Sequence, residues 1–184
     1  MYRLVWFCLG LPLVEFVGWL WHWSIEHYGL LGEALRKQHY VHHEVDYPAE
    51  DLRPQQDYQS AHDWSWYLLS AITLSVLVAL SLTGLLPWRY MIALSAGAVL
   101  YARCVVSIMH DLYHLPNCRL SRFAWFRELV RLHDIHHYAR GNYGIVFFWF
   151  DRLFGTYVED MPSTPLNVFP GFHVPPGMPV RPDA

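Results

Sequence analysis

The chain of 184 residues is the length of one domain, with 54% hydrophobic, 17% aromatic and only 16% charged residues. Soluble globular domains carry about 25% charge, so this composition, with nine tryptophans and twelve tyrosines, points to a bilayer and its aromatic interfaces. A formal net charge of -3 excludes a nucleic-acid footprint, and Cys8, Cys104 and Cys118, lacking any C-x-x-C pair, exclude a disulfide framework or a zinc ribbon.

In chain order, residues 4–21 are apolar apart from Glu15. They read as a first membrane helix bent at Pro12, because a signal peptide would carry more positive charge and a small-residue cleavage site. Residues 66–86 hold no charge and reach the roughly 20 residues that a spanning helix needs. Residues 88–109 form a third apolar stretch containing Arg89 and Arg103, and Pro87–Trp88–Arg89 reads as a tight interfacial turn joining the two as a hairpin. Residues 123–138 read as a helix, and 145–150 as a short apolar dip into the interface. Seven prolines in the 26 residues from Glu159 predict an extended tail. The expected fold class is all-α: a polytopic membrane bundle of three to four helices with a cytosolic histidine-rich helical cap. The domain is expected over 1–158, with a Pro-rich tail over 159–184.

Three crossings place residues 24–63 and everything beyond 110 on one side. Arg36, Lys37, Arg53 and the arginines after residue 118 fall there, with Arg3 and Arg89 opposite, so the positive-inside rule makes that side cytoplasmic.

Ten of the twelve histidines cluster on the same side, in HWSIEH (22–27), HYVHH (39–43), HDLYH (110–114) and HDIHH (133–137). Helical positions three and four apart share a face, so His39, His42 and His43 aim at one point, as do His110 with His114 and His133 with His136 and His137. His22 and His27, five apart, stand about 140° apart on a regular helix. The helix is therefore expected to end between them, a break that Gly29 and Gly32 just downstream favour, or His27 to approach from another direction. His62 and His173 lie outside every motif and read as non-ligands, His62 at the start of the second span.

Burying so many imidazoles without partners is costly, and metal ions satisfy them in groups. Ten exceed what one ion can bind, so two ions are expected. Imidazole suits zinc, copper, iron and nickel, so the donors do not name the metal. Neutral ligands leave the ions strongly positive, which favours an oxygen-derived anion and a strong oxidant beside an apolar substrate. No catalytic acid or base beyond the ligands is required. A metal transporter is the rival from another class, but transporters thread ligands through the midplane, whereas these lie at helix ends.

The order H-x4-H, H-x2-H-H, H-x3-H, H-x2-H-H along a polytopic chain resembles the fatty acid hydroxylase/sterol desaturase superfamily of membrane di-iron enzymes. The resemblance extends to EFVGWLWH (15–22), with an acid seven residues before the first ligand, and to NYGIVFFWFDRLFGTY (142–157). It implies two iron ions, with zinc possible on isolation, held by His22, His27, His39, His42, His43, His110, His114, His133, His136 and His137. It also implies O2-dependent hydroxylation of a membrane lipid (fatty acyl, sterol-like or related), or desaturation, with electrons from a separate cytochrome b5-like or ferredoxin-type carrier. Short bacterial carotenoid hydroxylases are similar but usually have H-x4-H where this chain has HDLYH. Trp23 stands where the family often has arginine, and no His-Pro-Gly-Gly stretch marks a fused cytochrome b5 domain.

Metal-bound histidines usually donate their other nitrogen to a carboxylate or carbonyl. Asp111, Asp134, Asn142 and Asp151 are the expected supporting residues, with Asp134 and Asp151 as direct partners. Glu15 and Arg103 each lie seven residues, about two turns, before a histidine, which predicts an ion pair beneath the site.

Overall fold

Pro12 lacks an amide hydrogen, and its ring crowds the carbonyl four residues earlier, so the first helix bends just before it. In the computed structural model, which describes residues 2–55 and 64–173, helix α1 (Tyr2–Cys8) and helix α2 (Gly10–Trp21) meet at Leu9. His62 and the last residues of the tail lie outside the described residues. Helix α2 does not stop at its apolar end but widens directly into a π-helical turn, His22–His27. Helix α3 (Glu33–Val41) begins after Gly32, whose φ of 98° few other residues tolerate, and widens into a second π-helical turn, His42–Asp46.

Helix α4 (Trp64–Leu82) ends earlier than residue 86, because Gly84 takes a left-handed φ of 80°. Pro87 caps helix α5 (Trp88–Tyr101), as the hairpin expectation required. A third π-helical turn, Ala102–Val106, links α5 to helix α6 (Ser107–Tyr113) without a break. A 3-10 turn (Arg119–Arg122) leads to helix α7 (Ala124–Tyr138), and helix α8 (Trp149–Phe154) follows a loop. Among the described residues there is no strand, and the three cysteines are free thiols.

Among the described residues, three helices are long and apolar enough to cross a membrane: Tyr2–His27, Trp64–Leu82 and Trp88–Tyr113. The two of 26 residues extend roughly 39 Å at 1.5 Å per residue, beyond a hydrocarbon core of about 30 Å. Their histidine-bearing ends therefore project past the apolar layer. The outer faces are apolar, with Ile72, Val76, Leu82, Ile92 and Leu100 all exposed. Inside the bundle, α1 and α2 press on α5 through glycines. A Cβ on Gly97 would run into the Phe7 carbonyl, and one on Gly10 would lie 2.6 Å from the Gly97 carbonyl carbon. Small residues let backbones approach in this way where lipid supplies no hydrophobic drive between helices.

Glu15, 4% exposed, accepts the Tyr101 hydroxyl at 2.5 Å and the Phe147 amide at 3.3 Å. The expected Glu15–Arg103 ion pair is absent among the described residues, and Arg103 is exposed. The cause is the π-helical turn Ala102–Val106, which rotates everything before it relative to α6. Seven residues are then no longer two turns, and Tyr101 takes the place facing Glu15.

Candidate metal centre

The three π-helical turns position the histidines. In such a turn hydrogen bonds run from residue i to i+5, so positions five apart come onto one face. The Tyr28 amide reaches the Trp23 carbonyl at 3.2 Å and the Tyr47 amide the His42 carbonyl at 2.9 Å. His22 and His27 therefore face the same point, their ring centroids 5.0 Å apart. The expected helix end between them does not occur, because the helix accommodates the five-residue spacing by widening. His133, His136 and His137 use the ordinary spacing of α7, and His110 with His114 that of α6.

All ten motif histidines meet at one end of the bundle, in three groups able to hold a metal ion. The groups are His22, His27, His39, His43 and His136; His42, His110, His114 and His133; and His42, His43 and His137. Within each group the ligand nitrogens lie within 4.8 Å of one another. The adjacent residues His42 and His43 join the two larger groups. His173, by contrast, is exposed and outside the cluster.

Hydrogen bonds settle several tautomers. A carbonyl can only accept, so the ring nitrogen facing it carries the proton. His22 Nδ1 donates to Tyr143 O at 2.7 Å, His27 Nδ1 to Val168 O at 2.9 Å, and His114 Nδ1 to Leu52 O at 3.0 Å. His136 Nδ1 donates to Gly141 O at 2.8 Å, and His137 Nδ1 to Tyr47 O at 3.0 Å. In these five neutral rings Nε2 is left as a lone pair, and the lone pairs converge. Nε2 atoms face one another at 2.9 Å (His22 and His39), 3.0 Å (His27 and His39; His114 and His133) and 3.1 Å (His43 and His136). Both nitrogens of His42, Nδ1 of His43 and of His133, and Nε2 of His137 have no hydrogen-bond partner. Each unsatisfied buried polar atom costs about 1–3 kcal/mol, and a cation in the cluster would relieve those ring nitrogens that face it, among them Nε2 of His137, whose Nδ1 is held by Tyr47 O.

Burial, then neighbouring imidazoles, holds His39, His42, His43, His133, His136 and His137 well below the ordinary histidine range. Burial brings His114 down to about 4 against the opposing pull of the Leu52 carbonyl. These seven rings are neutral donors at neutral pH, the form that binds a metal.

The supporting acids act differently from expectation. Asp134 pairs with Arg53 at 2.6 and 2.8 Å rather than with a histidine, and so ties residues 47–53, which carry the Tyr47 and Leu52 carbonyls, to α7. Asp151, fully buried, accepts the amides of Tyr143 and Gly144 at 2.8 and 2.9 Å, the Thr156 hydroxyl at 2.7 Å and Trp19 Nε1 at 3.3 Å. It orients His22 one step removed, through the Tyr143 carbonyl. Asn142, at a φ of 54°, bonds Leu132 O and Val158 O through Nδ2 and the Val158 amide through Oδ1, which fixes the same loop. Asp111 lines a cavity beside His110.

Sequence reasoning passed over two buried residues. Glu26 accepts the Ser65 hydroxyl at 2.6 Å, and its other oxygen lies 3.9 Å from His39 Nδ1. Arg36, 2% exposed, donates to the His27 carbonyl at 2.5 Å. An acid inside HWSIEH and a cation just before HYVHH were the available signals.

A cavity of about 440 Å³, within the usual range of ligand sites, opens between α2, α4 and α5 and ends on His22, His39 and His110. Its walls in the spanning region include Leu13, Val17, Leu74 and Leu77, with Arg103 the cation on its lining.

No curated protein and no solved structure matches the chain significantly. The family profile described as fatty acid hydroxylase matches residues 7–156, most of the chain. The chain therefore belongs to the fatty acid hydroxylase family, within the fatty acid hydroxylase/sterol desaturase superfamily, and is an integral membrane protein of the oxidoreductase type that family contains.

Proposed function

We propose that the protein is a membrane di-iron oxygenase that hydroxylates a lipid, using O2 and electrons from a separate cytochrome b5-like or ferredoxin-type donor. The observation that carries this reading is the set of five imidazoles whose Nδ1–H groups are held on backbone carbonyls, with their Nε2 lone pairs converging in a buried cluster. The ten histidines are the proposed ligands of two ions, His42 and His43 lying where the two groups adjoin. Iron there would supply activation of dioxygen and removal of hydrogen from an unactivated C–H bond.

The chain's own residues do the rest. The carbonyls of Tyr143, Val168, Leu52, Gly141 and Tyr47 hold the rings in one tautomer and orientation, so no reorganisation is needed when a cation enters. The apolar walls of the cavity take up a hydrocarbon chain from the bilayer and exclude water, and His22, His39 and His110 at its end bring one segment of that chain beside the cluster. The substrate is a fatty acyl, sterol-like or related lipid. The histidine face is the cytosolic one in this reading, by the excess of Lys and Arg on that side.

Desaturation is the close alternative, since the same cavity and donors serve removal of a second hydrogen. Expression in a lipid-producing host, compared with His136→Ala by lipid mass spectrometry, tests both. Hydroxylation appears as a gain of one oxygen and desaturation as a loss of two hydrogens. An unchanged lipid profile, with iron bound and a competent reductant present, rejects both.

A further inference from the structure

The proline-rich segment after residue 158 contains two of the most buried hydrophobic residues in the protein, Val168 and Phe169, at 0% and 1% exposure. Both lie beyond residue 156, where the family match ends. Residues 166–172 cross the histidine cluster and are tied down at every step. The Leu166 amide donates to Tyr138 O at 2.8 Å, and Arg140 Nε to Asn167 O at 2.7 Å. The Phe169 amide turns back to Asn167 Oδ1 at 2.8 Å, and Gly171, at a φ of 70°, closes the turn after Pro170. Val168 O then receives His27 Nδ1–H, and the Phe169 ring stacks on His27 at 4.9 Å and meets His39 and His43 edge-on at 5.8 and 5.3 Å.

Arg36 locks this arrangement. One guanidinium nitrogen donates both to the His27 carbonyl and to Pro170 O, at 2.5 and 3.2 Å, and the group lies over the rings of Phe169 and Phe172 at 5.9 and 5.2 Å. The same cation thus grips a metal-facing histidine and the strap that orients it.

We infer that residues 166–172, clamped by Arg36, are a positioning element for the group His22, His27, His39, His43 and His136, and for that group alone. The strap supplies the carbonyl that sets the His27 tautomer and the aromatic wall that keeps water from three of its rings. The second group, His42, His110, His114 and His133, takes its support from residues 47–53 instead. The metal-binding unit then extends to Phe172, and the two ion positions differ in what holds them.

This inference rests on the metal reading above, and its test separates the two. Full-length protein in lipid nanodiscs, stripped of metal, is titrated with cobalt(II) alone, following stoichiometry and the visible ligand-field bands. The variants are Arg36→Lys, which keeps the charge but loses the planar fork, and Phe169→Leu, which keeps apolar bulk but loses the stack. Loss of such outer support typically weakens metal binding about 10–100-fold. The expected result is that weakening at one of two ions, with altered bands for that ion and the other unchanged. Two ions bound as tightly as in wild type, or equal weakening of both in variants with wild-type helicity, overturns the inference. Wild-type protein that takes up no metal overturns the preceding reading instead.

Discussion

The Asp151 carboxylate holds the Tyr143 amide at 2.8 Å, and the carbonyl of the same residue receives His22 Nδ1–H at 2.7 Å. One buried acid in α8 thereby sets the orientation of a histidine at the end of the first membrane span. Asp151→Asn replaces an acceptor with a donor facing other donors, at about 1–3 kcal/mol for each buried group left unsatisfied. The variant is expected to melt at lower temperature and to bind metal more weakly, by about 10–100-fold. Unchanged metal affinity in a folded Asp151→Asn protein would contradict this link.

Acid should empty and destabilise the cluster. Unfolded histidines take up protons as pH falls below about 6.5, whereas the buried rings resist protonation until far lower, His114 to about 4. Between these values the unfolded chain binds more protons than the folded one. The stability contribution is therefore complete above about pH 6.5 and declines as pH falls toward 4. Metal-to-protein ratio and melting temperature, measured across that window, are expected to fall together. A flat profile would show that the rings are not held as neutral donors.

Glu15 and Tyr101 tie the first span to the third across a 2.5 Å hydrogen bond. A double-mutant cycle of Glu15→Leu with Tyr101→Phe is expected to give a coupling of about 0.5–1.5 kcal/mol, the scale of an intramolecular hydrogen bond. The parallel cycle with Arg103→Leu is expected to give none. The reverse ranking would restore the ion pair in place of the hydrogen bond.

Gly18 faces the cavity, and a Cβ there would lie 3.6 Å from Trp66, in ordinary contact. Gly18→Leu therefore fits the helix but fills the space proposed for a hydrocarbon chain. Lipid conversion is expected to drop at least about tenfold, the equivalent of about 1.4 kcal/mol, with metal content unchanged. Full activity in this variant would place the substrate elsewhere.

Much of the centre was legible in the sequence because it follows from periodicity. Three apolar stretches long enough to span, and histidines three and four apart within three of the four motifs, specify which rings can meet and at which end of the bundle. Tertiary structure decided the rest. The spacing of His22 and His27 looks like a broken helix until the chain widens into a π-helical turn, and the turn at Ala102–Val106 moved Arg103 away from Glu15. Nothing in the residue types showed that Tyr143, Val168, Leu52, Gly141 and Tyr47 orient the rings, because each does so with its backbone carbonyl, a group that every residue possesses. Which carbonyl reaches which ring depends on where the folded chain passes, and a proline-rich tail came to support the histidine cluster for that reason alone.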